Sequence, residues 1–141
     1  MGVRNPLKTT VCALALALGI GALAAPAMAE DAIKIAVVTH GQSSDTYWTV
    51  VKKGVDDAAK LMGVDVTYQA PQTTDMVAEA RMIDAAVAQK VQGLVVLIPD
   101  ADALDKSVKA AVDGGIPVIV IDSGEDEAPK TGAKLFVGTR N

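Results

Sequence analysis

The sequence predicts a three-layer α/β/α sandwich built on a mostly parallel, doubly wound sheet with strand order 2-1-3-4-5. Three observations predict it. Short β-branched runs at residues 33–39, 94–98 and 116–121 are apolar almost without alternation, as strands covered on both faces are. Strand starts recur roughly every 23 to 30 residues with helical patterns between them, the spacing of a βαβ unit. The run 64–68 alternates apolar and polar residues, which marks a half-exposed edge strand and favours an open sheet over a barrel. Right-handed crossovers then put helices on both faces, and the crevice at the topological switch point lies between the first and third strands.

Each element follows from local pattern. The first strand delivers the chain to His40, after which Ser44 or Asp45 can cap a helix with Trp48, Val51, Val55, Ala58 or Ala59, and Met62 on one face. Gly63 ends it, where a left-handed conformation costs little. After the edge strand and the loop 70–74, a second helix carries Met76, Ala80, Ile83 and Val87 inward, with Val91 just beyond. Pro99 bounds the third strand. Asp100 and Asp102 favour the start of a third helix with Leu104, Val108, Ala111 and Val112 inside, and Gly114–Gly115 stops it. The fourth strand tolerates Pro117 near its start and ends at Asp122-Ser123-Gly124. An acidic loop, 125–130, leads to a fifth strand at 135–138.

The amino terminus has Arg4 and Lys8 as its only charges before residue 30, then a run from 9 to 25 rich in Ala and Leu, then Ala27-Met28-Ala29. This is the pattern of a secretory signal peptide cleaved after Ala29. The run is shorter than the roughly 20 apolar residues of a membrane anchor. Export of residues 30–141 removes Cys12, the single cysteine, so the fold rests on its core without disulfides. Acidic side chains outnumber basic ones 17 to 13, and losing Arg4 and Lys8 makes the exported part more acidic. That balance disfavours nucleic acid and anionic membrane surfaces as partners.

Polar groups concentrate where the strands end. The loops 40–48, 99–102 and 122–125 converge on the carboxyl edge of the sheet. Two of the four Phe, Tyr and Trp residues, Tyr47 and Trp48, are adjacent there, beside His40, Gln42 and Asp45. Flat apolar faces next to hydroxyl and carboxylate groups suit a small polar ligand with C–H faces, such as a sugar. Asp122 closes an apolar strand and needs a partner, so a ligand hydroxyl is its expected role. Trp48 is at core spacing as well as loop spacing, and Asp45 and Asp100 can be helix caps. His40 is the single histidine and lacks companions for a transition-metal site. No G-x-S-x-G elbow, G-x-G-x-x-G or P-loop pattern is present, so neither an enzyme nor a bound cofactor is expected.

Several motifs in order resemble the type I periplasmic sugar-binding proteins of ABC transporters, the ribose and galactose group. They are Lys-Ile-Ala-Val-Val-Thr-His from Lys34, Ser-Asp-Thr-Tyr-Trp from Ser44, Gly-Leu-Val-Val-Leu-Ile-Pro-Asp from Gly93, and Gly-Gly-Ile-Pro-Val-Ile-Val-Ile-Asp-Ser-Gly from Gly114. The resemblance covers residues 33–141. It implies two α/β lobes joined by a hinge that close on one monosaccharide or polyol and present it to an ABC transporter permease in the periplasm, the membrane being met only through the permease. It puts Asp45, Tyr47 and Trp48 where the first loop contacts sugar, and Asp122 where a carboxylate takes sugar hydroxyls. Ser123 stands where ribose-type members often have arginine and Ile98 where some have a polar residue, while His40 and Gln42 resemble a subgroup of sugar or polyol binders. On this resemblance residues 30–141 are an amino-terminal lobe without its second lobe, a truncated form in which sugar binding is weak. The alternative is an exported ligand-sensing or interaction module that docks a receptor rather than a permease.

Overall fold

A computed structural model describes residues 32–41 and 45–139. The leader expected at 1–29 and Gln42 lie outside the described residues. The elements are β1 (Lys34–Val38), α1 (Thr46–Met62), β2 (Asp65–Gln69), α2 (Met76–Ala88), β3 (Gly93–Val96), α3 (Ala101–Asp113), β4 (Val118–Ile121), α4 (Ala128–Thr131) and β5 (Leu135–Val137). All four strand pairings are parallel, in the order β2-β1-β3-β4-β5. The sandwich and strand order are those the sequence predicts, with β2 at the edge.

Strand alternation divides the core into two sides. Ala36, Val38, Leu94, Val96, Val118 and Val120 join residues of α2, α3 and α4 in one buried cluster. The residues between them, Val37, Val95 and Ile119, point to the opposite face, where α1 packs against β2. That second side is thinner. Of the 17 residues of α1 only Trp48 is buried, Val95 and Ile119 are half-buried, and Leu135 and Val137 on β5 are 53% and 54% exposed.

The helix ends follow the capping chemistry. The Asp45 side chain accepts from the Tyr47 amide, Asp75 from Ala78 and Asp100 from Ala103. Gly63 closes α1 at φ 66°. Some features depart from the pattern reading: Met62, expected on the apolar face of α1 with Trp48, is 72% exposed. The acidic loop after β4 contains α4, a single turn too short to carry a period. Glu79 faces the core of α2 beside Ile83 and Ala86, with no exposed surface.

Candidate functional site

The carboxyl ends of β4 and β5 and the first turn of α1 form the candidate site, with His40 beyond the end of β1 nearby; the cavity lies beside β4 and β5 rather than at the expected crevice between β1 and β3. Tyr47 sits in that turn, its backbone held by the 2.8 Å bond from its amide to Asp45 Oδ1. Its phenol is 54% exposed and donates a 2.9 Å hydrogen bond to Asp122 Oδ1. The bond joins residues 75 positions apart in sequence. Hydrogen bonding to Asp122, and then the charge of that carboxylate, raise the phenol above its ordinary pKa of 10.

Asp122 is held in an unusual conformation. Its φ is 62°, a left-handed geometry that aspartate tolerates better than most side chains but still at some cost. Its amide donates to the Val137 carbonyl at 3.0 Å, which ties it to β5. Behind it, Gly124 has φ 105°, and a Cβ there would come within 2.7 Å of Ile98 Cβ, so only glycine lets this turn close on the segment that follows β3. Tyr47, Asp122, Ile121, Val137, Gly138 and Thr139 line an open cavity of about 390 Å³.

The other expected residues are distributed around this pair. Trp48 is 8% exposed, with its ring edge-on to Tyr47 at 5.0 Å and to His40 at 5.2 Å between centroids. It faces a separate groove of about 460 Å³ with Lys52, Tyr68 and Met82, not the cavity beside Asp122. Asp45 is an exposed cap. His40 is half-buried, and its Nδ1 has no hydrogen-bond partner among the described residues. Burial lowers its pKa, and the Asp122 charge partly offsets that. Ser123 is half-buried and its Oγ likewise lacks a partner among the described residues. Among the described residues, no group of three or more His, Cys, Asp or Glu side chains is arranged to hold a metal ion.

Pattern reasoning passed over Gly41. A Cβ built on it would lie 1.8 to 2.0 Å from atoms of the Trp48 indole, so the ring rests directly on the glycine backbone. The nearest signal was the bare Gly41 seven residues before the lone tryptophan.

The family model described as "Periplasmic binding protein domain" matches residues 35–141. The chain belongs to this family. Periplasmic binding proteins bind ligands rather than catalyse reactions, and membership assigns the chain to the periplasm. The chain is 26% identical over 125 residues to the xylitol-binding protein of Mycolicibacterium smegmatis, covering 87% of this chain and 35% of that one. Among solved structures it resembles a carbohydrate transporter from Acidothermus cellulolyticus 11B in complex with myo-inositol. There the TM-score is 0.68 and the identity 38%, over 74% of this chain and 36% of the other. A periplasmic sugar-binding protein of an ABC sugar transporter from Legionella pneumophila gives a TM-score of 0.71 at 31% identity, over 76% and 39%. XylFII in its complex with LytSN gives 0.70 at 29%, over 78% and 39%. The chain thus spans little more than a third of the length of these relatives.

Proposed function

We propose that this chain supplies the sugar-binding wall of the substrate-binding component of an ABC-type uptake system, of the type I ribose and galactose group. The ligand is a monosaccharide or polyol, taken at the carboxyl ends of the strands and passed to a permease. One observation carries the reading: the Tyr47 hydroxyl and the Asp122 carboxylate, from opposite ends of the lobe's sequence, meet on an open cavity at the sheet's carboxyl edge. Such a pair offers a ring face for C–H groups and a charged acceptor for hydroxyls, and hydrogen bonds to charged groups contribute about 1.5 to 3 kcal/mol each. His40 and Ser123 stand beside this pair in the same two loops, with Nδ1 and Oγ buried and outside the cavity lining. Asp45 shapes the first turn, Trp48 supports Tyr47 from behind, and Gln42 borders the same loop in sequence. The relatives named for xylitol and found with myo-inositol favour a polyhydroxylated ligand.

Residues 30–141 taken alone present one wall of such a cleft. If a complete cleft binds at about micromolar, half of its free energy leaves about millimolar affinity. Calorimetric titration of the chain with xylitol, myo-inositol, glucose, galactose and ribose tests the reading. The expected result is weak, saturable binding of one compound that Asp122→Asn and Tyr47→Phe each reduce. Absence of binding to every compound by a folded chain overturns it. A second reading, a module that docks another protein, draws support from the complex of XylFII with LytSN. It predicts partner binding that Asp122→Asn leaves unchanged.

A further inference from the structure

We propose that Gly41 is a positioning residue of the site: its missing side chain seats the Trp48 indole, and the seated indole holds Tyr47 where its hydroxyl reaches Asp122. The assignment of Tyr47 and Asp122 to sugar rests on the reading above. The mechanical chain from Gly41 to Asp122 does not.

The geometry runs in three contacts. The indole Nε1, Cδ1 and Cε2 atoms lie 1.8, 1.9 and 2.0 Å from where a Gly41 Cβ would stand, a separation that real Cβ contacts do not show. Alanine at 41 therefore displaces the ring. The displaced group is the one buried residue of α1, and its neighbours are the two other rings of the loop. The Trp48 ring meets Tyr47 edge-on at 88° and His40 at 72°, arrangements that favour the positive edge of one ring against the face of another. Tyr47 has little else to hold it: its side chain is more than half exposed, and among the described residues its one side-chain hydrogen bond is the one to Asp122. An exposed phenol with free rotamers would spend much of its time away from the carboxylate. The indole behind it removes that freedom before a ligand arrives, which is how preorganisation strengthens binding.

Trp48 is the single tryptophan and Tyr47 one of two tyrosines, so the chain reports on itself. In Gly41→Ala, tryptophan emission is expected to shift to the red with greater acrylamide quenching. One tyrosine should then titrate at lower pH, as in an Asp122→Asn reference, when followed by absorbance near 295 nm. Trp48→Leu removes the support without crowding the backbone and should shift the same tyrosine. Val51→Ala, on the inner face of α1, weakens packing but should leave both signals unchanged. In titrations with myo-inositol, Gly41→Ala and Trp48→Leu should each weaken binding about tenfold while Val51→Ala does not.

Wild-type emission and tyrosine titration in Gly41→Ala would overturn the proposal. So would wild-type tyrosine titration in Trp48→Leu, which decides the matter if Gly41→Ala fails to fold. If the spectroscopic shifts occur but no variant, wild type included, binds myo-inositol or the other polyols, the positioning chain stands and the sugar reading fails.

Discussion

Replacing Glu79 with methionine should stabilise the chain by an amount that grows with pH. Glu79 has no exposed surface, and neither carboxylate oxygen has a partner among the described residues. Burial raises its pKa from 4.5 to about 8, so near neutral pH the folded chain carries it protonated. The unfolded chain ionises the same group from about pH 4.5. Between those values the unfolded state binds fewer protons, and stability falls as pH rises. Holding the proton from 4.5 up to about 8 costs ~5 kcal/mol at the high end, at about 1.4 kcal/mol per tenfold. That is a large share of the roughly 5 to 15 kcal/mol that a domain has. Methionine has similar length and no proton to hold. Its packing difference adds a constant at every pH, so the change in the gap isolates the carboxyl. Between pH 5 and pH 8 the advantage of Glu79→Met over wild type should widen by about 3 to 4 kcal/mol. Urea unfolding midpoints, with unchanged m-values, measure it. A gap constant to within about 0.5 kcal/mol across that range would refute the reasoning, because the carboxyl would then have found a partner or water.

Three further expectations concern the site. Asp122→Gly should be more stable than Asp122→Ala by about 1 to 2 kcal/mol, since both lose the carboxylate and only alanine is strained in a left-handed conformation; equal thermal midpoints would show that the backbone relaxes. His40 acts opposite in sign to Glu79. Burial lowers its pKa below 6.5, so the unfolded state takes the proton first and stability falls as pH drops below 6.5; His40→Gln should flatten that acid limb of the stability profile. Asp45→Ala removes the acceptor for the Tyr47 amide and should cost about 1 kcal/mol in denaturant unfolding.

The elements legible in the sequence are those whose pattern is local. The runs ending at Val38, Val96 and Ile121 are strands because both faces of each need apolar residues. The alternation in 64–68 identifies β2 as an edge because one of its faces does not. The caps at Asp45 and Asp100 depend on a bond reaching two or three residues along the chain. What stayed hidden depends on meetings between distant segments. No periodicity announces that the phenol at 47 reaches a carboxylate at 122. Trp48 fitted both core and loop, and only the bare backbone of Gly41 beneath it brings it inward. Glu79 interrupts the apolar stripe of α2 as a charge, and its burial shows only when β1 and α3 close around that helix. The turn at α4 is too short for a period to register.

The thin packing of α1 has a consequence for motion. Apart from Trp48 its residues are exposed or only half-covered, while β3 and α3 are buried in the main cluster. Local opening free energy follows such burial, so amide hydrogens of α1 should exchange with solvent well before those of β3. The Tyr47 hydroxyl therefore tethers the loosest helix to the end of a firm strand. A small molecule bridging Tyr47 and Asp122 would slow exchange in the first turns of α1 and leave the strands almost unchanged. The lobe would then register occupancy as a local quieting of one helix, without any displacement of the sheet beneath it.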